Sequence, residues 1–172
     1  MNSQELKEKI LQGKIFIYPT DTIYGIGCNA LNKESVEKIR EIKQRDKKPF
    51  SIIAPSFDWI KENCTIDCEL EKYLPGKYTI ILKKKDTNFL SWVSNTDSLG
   101  IRIPKHEFCD KIRQANMPFI TTSVNFSGEK FACSVEEIPE EIKNKVDVII
   151  DEGKIDGTPS ILIIEGKEVG RK

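Results

Sequence analysis

Lys33-Glu-Ser-Val-Glu-Lys-Ile-Arg-Glu-Ile-Lys-Gln-Arg-Asp-Lys-Lys-Pro-Phe-Ser-Ile-Ile-Ala54 changes its period in the middle. Val36, Ile39 and Ile42 recur on one side while Glu34, Glu37, Lys38 and Glu41 occupy the other, which predicts an amphipathic helix over 33–44. Pro49 stops any helix, and Phe50–Ala54 then reads as a strand. A helix feeding directly into a strand predicts an α/β fold. Between the two lies Lys43-Gln-Arg-Asp-Lys-Lys48, in which four of six residues are cationic. At about 100° per residue, Lys43 projects about 40° from Ile39 and flanks the buried stripe. An ammonium there needs an anion or must snorkel to water. Two readings stand at this point: a complement to the negative end of the helix, or an anion site at a helix-to-strand junction.

Outward from this junction the chain keeps the same character. Ser3 is expected to cap a helix through Gln12, with Leu6, Ile10 and Leu11 inside and Gly13 as its stop. Lys14–Tyr18 reads as a strand that breaks into Pro19-Thr-Asp-Thr-Ile-Tyr-Gly-Ile-Gly27. A turn accounts for the proline, aspartate and glycines. Hydroxyls and amides at the carboxyl end of a strand also form ligand cradles in open α/β sheets. Helices are expected at 57–63, 68–74 and 106–115, and strands at 78–82, 100–104 and 118–122, with 83–98 a loop in which Trp92 is structural. In the 100–104 strand, alternation puts Arg102 opposite Ile101 and Ile103, either facing solvent or lining a site. Ser123-Val-Asn125 follows the 118–122 strand, and residues two apart share a face. That pair can hold an anionic oxygen without adding charge, or it can be an Asx turn. The acidic stretch 135–146 is expected to be helical after Pro139, and strands at 146–151 and 160–164 complete the reading, with no repeat or linker, so residues 1–172 are expected to form a single domain.

Composition narrows the function classes. The chain balances 27 basic against 27 acidic residues, which weighs against nucleic-acid binding by bulk charge. Five scattered cysteines and one histidine predict reduced thiols and no structural zinc. No apolar run approaches the roughly 20 residues of a membrane span, and the reading is a cytoplasmic protein.

Together, Tyr18-Pro-Thr-Asp-Thr-Ile-Tyr-Gly-Ile-Gly27, Lys43-x-Arg45 with Lys48-Pro49, Gly100-Ile-Arg-Ile-Pro104, Thr121-Thr-Ser-Val-Asn-Phe-Ser-Gly128 and Pro159-Ser160 resemble the threonylcarbamoyl-AMP synthase family, the YrdC-like domain. The matches run in the family's order over nearly the whole chain. The resemblance implies a twisted open mixed parallel/antiparallel sheet flanked by helices. It implies that L-threonine, bicarbonate and ATP (with Mg²⁺ held mainly by phosphates and water) give threonylcarbamoyl-AMP and pyrophosphate. The product would serve tRNA modification through a threonylcarbamoyl transferase machinery. It further implies roles for individual residues. Lys43 and Arg45, helped by Lys48, would hold the ATP phosphates. Thr20, Arg102 and Ser160 would hold threonine. Ser123 and Asn125 would bridge substrate and nucleotide, and Ser98, Ser134 and Arg171 would extend the nucleotide site. Lys43, Arg45, Ser123 and Asn125 form the implied catalytic set. Asp46, where a proline is common, Val124 in place of alanine and Ile161 in place of threonine depart from the family pattern, and the late arginine can only be Arg171. Two competing readings are a double-stranded RNA or tRNA-binding module of the same shape and a carbamoyl-adenylate-forming domain like those of hydrogenase-maturation enzymes. Zero net charge weighs against the first and missing zinc motifs against the second.

Overall fold

The computed structural model describes residues 1–171. In chain order these form α1 (Ser3–Leu11), β1 (Phe16–Tyr18), β2 (Gly25–Gly27), α2 (Lys33–Lys43), β3 (Ser51–Ile53), α3 (Phe57–Asn63), β4 (Cys64–Thr65), β5 (Tyr78–Lys84) and β6 (Ser98–Arg102). They continue with α4 (Glu107–Arg113), β7 (Phe119–Ser123), α5 (Glu140–Lys143), β8 (Val148–Ile149), β9 (Ile161–Ile164) and β10 (Lys167–Val169). The strands make one ten-stranded sheet in the order β10-β9-β5-β6-β3-β7-β2-β1-β8, with β4 paired to β5. Pairs β1·β8, β3·β6 and β5·β9 are parallel and the others antiparallel, so the sheet is mixed and open, with helices about it as the resemblance implied.

Strand alternation divides the interior in two. Phe16 and Tyr18 of β1 join Leu6 and Ile10 of α1 and Phe108 and Ile112 of α4 on one face. Ile17, between them, points the other way into the larger cluster with Val36, Ile39 and Ile42 of α2. The stripe read from the α2 sequence is therefore the stripe that is buried. Lys43 is buried with it, at 1% exposure.

Several expectations are corrected. The cap of α1 is Asn2, whose side chain accepts the Glu5 amide while Glu5 returns a bond to Asn2, a reciprocal capping box that Ser3 cannot make. Leu11 is exposed and outside the apolar side. Gly25–Gly27 is a strand, and its glycines have a packing cause: a Cβ on Gly27 would lie 1.9 Å from the Ile120 carbonyl oxygen across the β2·β7 pair. Only a 3₁₀ turn, Leu70–Lys72, forms within 68–74 ahead of Pro75. The 83–98 segment is strand at both ends, and Lys84 organises its middle by donating to the carbonyls of Thr87, Phe89 and Ser94. The helix expected after Pro139 is the short α5, and a 3₁₀ turn, Val135–Glu137, precedes the proline. The β9–β10 hairpin carries no Asn-Gly or Asp-Gly signal: its turn is Glu165-Gly166, with both residues at positive φ.

Candidate functional site

A cleft of about 650 Å³ opens where the 19–25 turn, the 45–51 junction, β6, the end of β7 and the 159–160 segment meet. At its floor, Thr20 Oγ1 donates to the Ile23 carbonyl at 2.7 Å and accepts from the Thr22 amide at 3.1 Å, which closes the turn upon itself. The turn thereby aims Asp21 at Arg102. Their ion pair is 2.7 Å long and both side chains are 7% exposed. The second Asp21 oxygen accepts the Lys105 amide at 2.8 Å. Arg102 also donates to Thr22 Oγ1 at 3.3 Å. Arg102 is thus no solvent-facing arginine. β6 is buried on both faces, and only a carboxylate partner makes that tolerable for a guanidinium.

The basic junction divides its cations. Gln44 takes a left-handed conformation with φ 53° and ends α2, so the chain reverses at once into Arg45–Lys48. Arg45 and Lys48 line the cleft. Arg45 donates to the Pro49 carbonyl and, at 3.4 Å, to Thr122 Oγ1, with its guanidinium 4.8 Å from the Phe50 ring centroid. Burial, reinforced by the Arg40 and Arg171 cations, pulls Arg45 down to about 10. Lys43 lies beneath the cleft and does not line it. Its ammonium donates to the Ser123 carbonyl, to the Asn125 carbonyl at 3.1 Å and to Asn125 Oδ1 at 2.9 Å. These acceptors engage the three N–H groups of the ammonium. Burial, then the Arg45 charge, draws Lys43 down to about 7.

Ser123 and Asn125 sit on top of this ammonium. Ser123 Oγ donates to Asn125 Oδ1 at 2.9 Å, and Asn125 Nδ2 donates to the Glu129 carbonyl at 2.7 Å. Both line the cleft, as do Ser98 and Ser160. Ser160 Oγ is 2.6 Å from Thr79 Oγ1 and accepts from Arg171 Nη2 at 2.7 Å, while Arg171 Nε donates to the Ser160 carbonyl at 2.6 Å. The penultimate arginine therefore folds back to line the cleft, where burial and Arg102 lower its proton affinity. Ser134 does not line the cleft.

Among the described residues, five cations (Arg45, Lys48, Arg102, Lys130, Arg171) and one carboxylate, Glu129, line this cavity in a chain with no net charge. Clefts of one sign focus their field, and this one suits a polyanion with a carboxylate-bearing second ligand. The family model for Sua5, YciO and YrdC, described by the phrase telomere recombination, matches residues 8–169. The chain belongs to the Sua5/YciO/YrdC family. A relative from Methanocaldococcus jannaschii, provisionally named a threonylcarbamoyl-AMP synthase, is 42% identical over 155 residues, covering 87% of this chain and 72% of its own. The threonylcarbamoyl-AMP synthase of Pseudoalteromonas atlantica is 32% identical over 160 residues, covering 87% and 84%. The crystal structure of P. abyssi Sua5 complexed with L-threonine superposes with a TM-score of 0.83 at 28% identity. It covers 94% of this chain, which spans half the length of that structure.

Some features of this Sua5/YciO/YrdC cleft were not legible as site features in the sequence. Thr79 lines it yet reads only as part of a β-branched strand, whereas Thr22, also in the lining, belongs to the hydroxyl-rich stretch that reads as a cradle. Asp21 also reads as a turn former. Its signal was indirect: an arginine between two core isoleucines requires a carboxylate from somewhere else in the chain.

Proposed function

We propose that residues 1–172 act as one domain, an L-threonylcarbamoyladenylate synthase. The amine of L-threonine and bicarbonate form a carbamate with loss of water. A carbamate oxygen then attacks the α-phosphorus of ATP and pyrophosphate leaves. No protein nucleophile is needed, so catalysis rests on position and on neutralised phosphate charge. The observation that carries this reading is the convergence in one cleft of the Thr20–Arg102 corner, the Arg45–Lys48 junction and the Ser123–Asn125 bend.

Arg102, held in orientation by Asp21, has N–H groups left to pair with the threonine carboxylate. Thr20 shapes that corner and Ser160 borders it, its hydroxyl already shared with Thr79 and Arg171. Arg45, Lys48 and Arg171 neutralise phosphate oxygens, and Ser98 lies on the nucleotide side. Ser123 and Asn125 stand between the two substrates. Lys43 acts from below, by holding both residues and adding its charge to the field, and Ser134 is left out of the nucleotide set. Mg²⁺ arrives with ATP as part of the substrate, carried by phosphate and water. Among the described residues no group of three or more His, Cys, Asp or Glu side chains is placed to hold a metal. No described helix is long and apolar enough to cross a membrane, and the setting of the proposed activity is the cytoplasm. There the adenylate would pass to a transferase acting on tRNA.

The test is to incubate the protein with ATP, labelled bicarbonate and L-threonine and to measure pyrophosphate and the labelled adenylate. Both are expected together and only with threonine. Pyrophosphate release that ignores threonine would sink this reading.

A further inference from the structure

Arg40 occupies the last turn of α2, outside the cleft, and belongs to none of the sets above. Its guanidinium reaches four backbone carbonyls: Asp46 at 2.9 Å and Lys48 at 2.7 Å through Nη1, and Trp92 and Val93 at 3.0 Å each through Nη2. It meets no carboxylate at ion-pair distance among the described residues. The same guanidinium lies 4.3 Å from the centroid of the Phe50 ring, against which Arg45 also packs at 4.8 Å. The Val93 carbonyl accepts from the Phe50 amide as well, at 3.0 Å, so one carbonyl ties Arg40 to the backbone that carries the ring.

Arg45, by contrast, is thinly held. Among the described residues, beyond Phe50 and the Pro49 carbonyl it has one long contact, to Thr122, and its buried Nε has no partner. Its direction is therefore set by the shape of the 46–49 turn and by the ring beneath it. Several carbonyls of that turn and of the 92–93 segment converge, and converging dipoles need a positive charge at their focus. Arginine suits the place because its planar fork spans two segments while its face stacks on a ring; lysine can do the first only in part and the second poorly.

We propose that Arg40 is a positioning residue for the nucleotide end of the cleft. It clamps residues 46–48 to residues 92–93 and, through Phe50, sets the direction in which Arg45 meets phosphate. This rests on the synthase reading, in which Arg45 holds the triphosphate. Repulsion between the two guanidiniums adds to the effect, since a phosphate at Arg45 relieves it.

Arg40→Met keeps the aliphatic stem and removes the fork. It is expected to raise the KM for ATP about tenfold, leave the KM for L-threonine within about twofold, and lower kcat by less than about threefold. Arg40→Lys should recover only part of the loss. In the Arg45→Ala background the Arg40→Met change should add less than about twofold, because residues that act through one another are not additive. Isothermal titration of ATP gives the same comparison without turnover, and circular dichroism verifies the fold; if Arg40→Met unfolds, Arg40→Lys carries the test with a smaller shift in ATP affinity alone. An unchanged ATP KM, equal losses for both substrates, or full additivity with Arg45→Ala overturns the proposal. Wild-type protein that binds ATP in an Arg40-dependent way but makes no adenylate overturns the synthase reading and leaves the positioning role standing. Wild-type protein that neither binds ATP nor turns over removes both.

Discussion

Lys43 shows how helical phase places a residue beside a core without deciding where its charged end goes. Its helical phase placed it beside the apolar stripe, and it is buried there, but its ammonium faces protein carbonyls instead of the cleft. The three acceptors favour the charged form, while burial disfavours it and holds the group at about 7. The ordinary lysine value in the unfolded chain is about 10.4. Between about pH 7 and 10 the unfolded chain thus binds more protons at this site than the native one, and the native state gains stability as pH rises through that window. Relative to Lys43→Met, wild-type protein should gain urea midpoint between about pH 7 and 10. Parallel profiles would show that Lys43 stays charged in the fold. Over the same range the neutral amine loses an N–H from the Ser123–Asn125 bend, so an adenylate-forming rate that depends on this bend should fall as pH rises.

Among the elements, the segment joining β8 to β9 has the largest bearing on the cleft. Its ends lie near opposite edges of the sheet, so it must run extended across the strand ends. It is fastened on the way. Tyr24 Oη donates to the Gly153 carbonyl at 2.7 Å and accepts the Glu152 amide at 3.1 Å, and the Ile155 amide donates to the Cys133 carbonyl at 2.7 Å. Gly157 crosses the Thr20–Thr22 turn so closely that a Cβ would stand 1.8 Å from the Thr22 carbonyl oxygen. Gly157→Ala must lift the segment off the turn. The expected cost is about 1–3 kcal/mol by thermal unfolding. The KM for L-threonine should rise more than that for ATP, since the Arg102 corner lies under this crossing. An alanine variant with wild-type threonine kinetics would disconnect the segment from the threonine end. This crossing is not legible in the sequence: residues 153–159 read as a connection between two strands, because proximity to Thr22 is a property of strand order and leaves no local pattern.

For the whole molecule, zero net charge coexists with a cleft that, among the described residues, holds five cations and one carboxylate. Such an arrangement gives little attraction for bulk polyanions but a focused field at one opening. Raising monovalent salt from about 0.1 M to about 1 M shortens the screening length from about 10 Å to about 3 Å. The KM for ATP should then rise severalfold while the thermal midpoint moves little, and a salt-independent KM would mean that phosphate charge is not what these cations hold. By itself, the sequence determined the α/β class, the α2 stripe with Lys43 at its flank, and the two strand ends that carry Thr20 and Ser123-Val-Asn125. These follow from periodicity and turn chemistry, which act over a few residues. Only the tertiary structure decided that Arg102 pairs with Asp21, that Lys43 serves Asn125 from below, that Arg171 returns to Ser160, and that Ser134 stays out of the cleft. Each of those depends on which strands lie side by side, and a buried charge takes its partner from whatever the sheet order brings within a hydrogen bond's length.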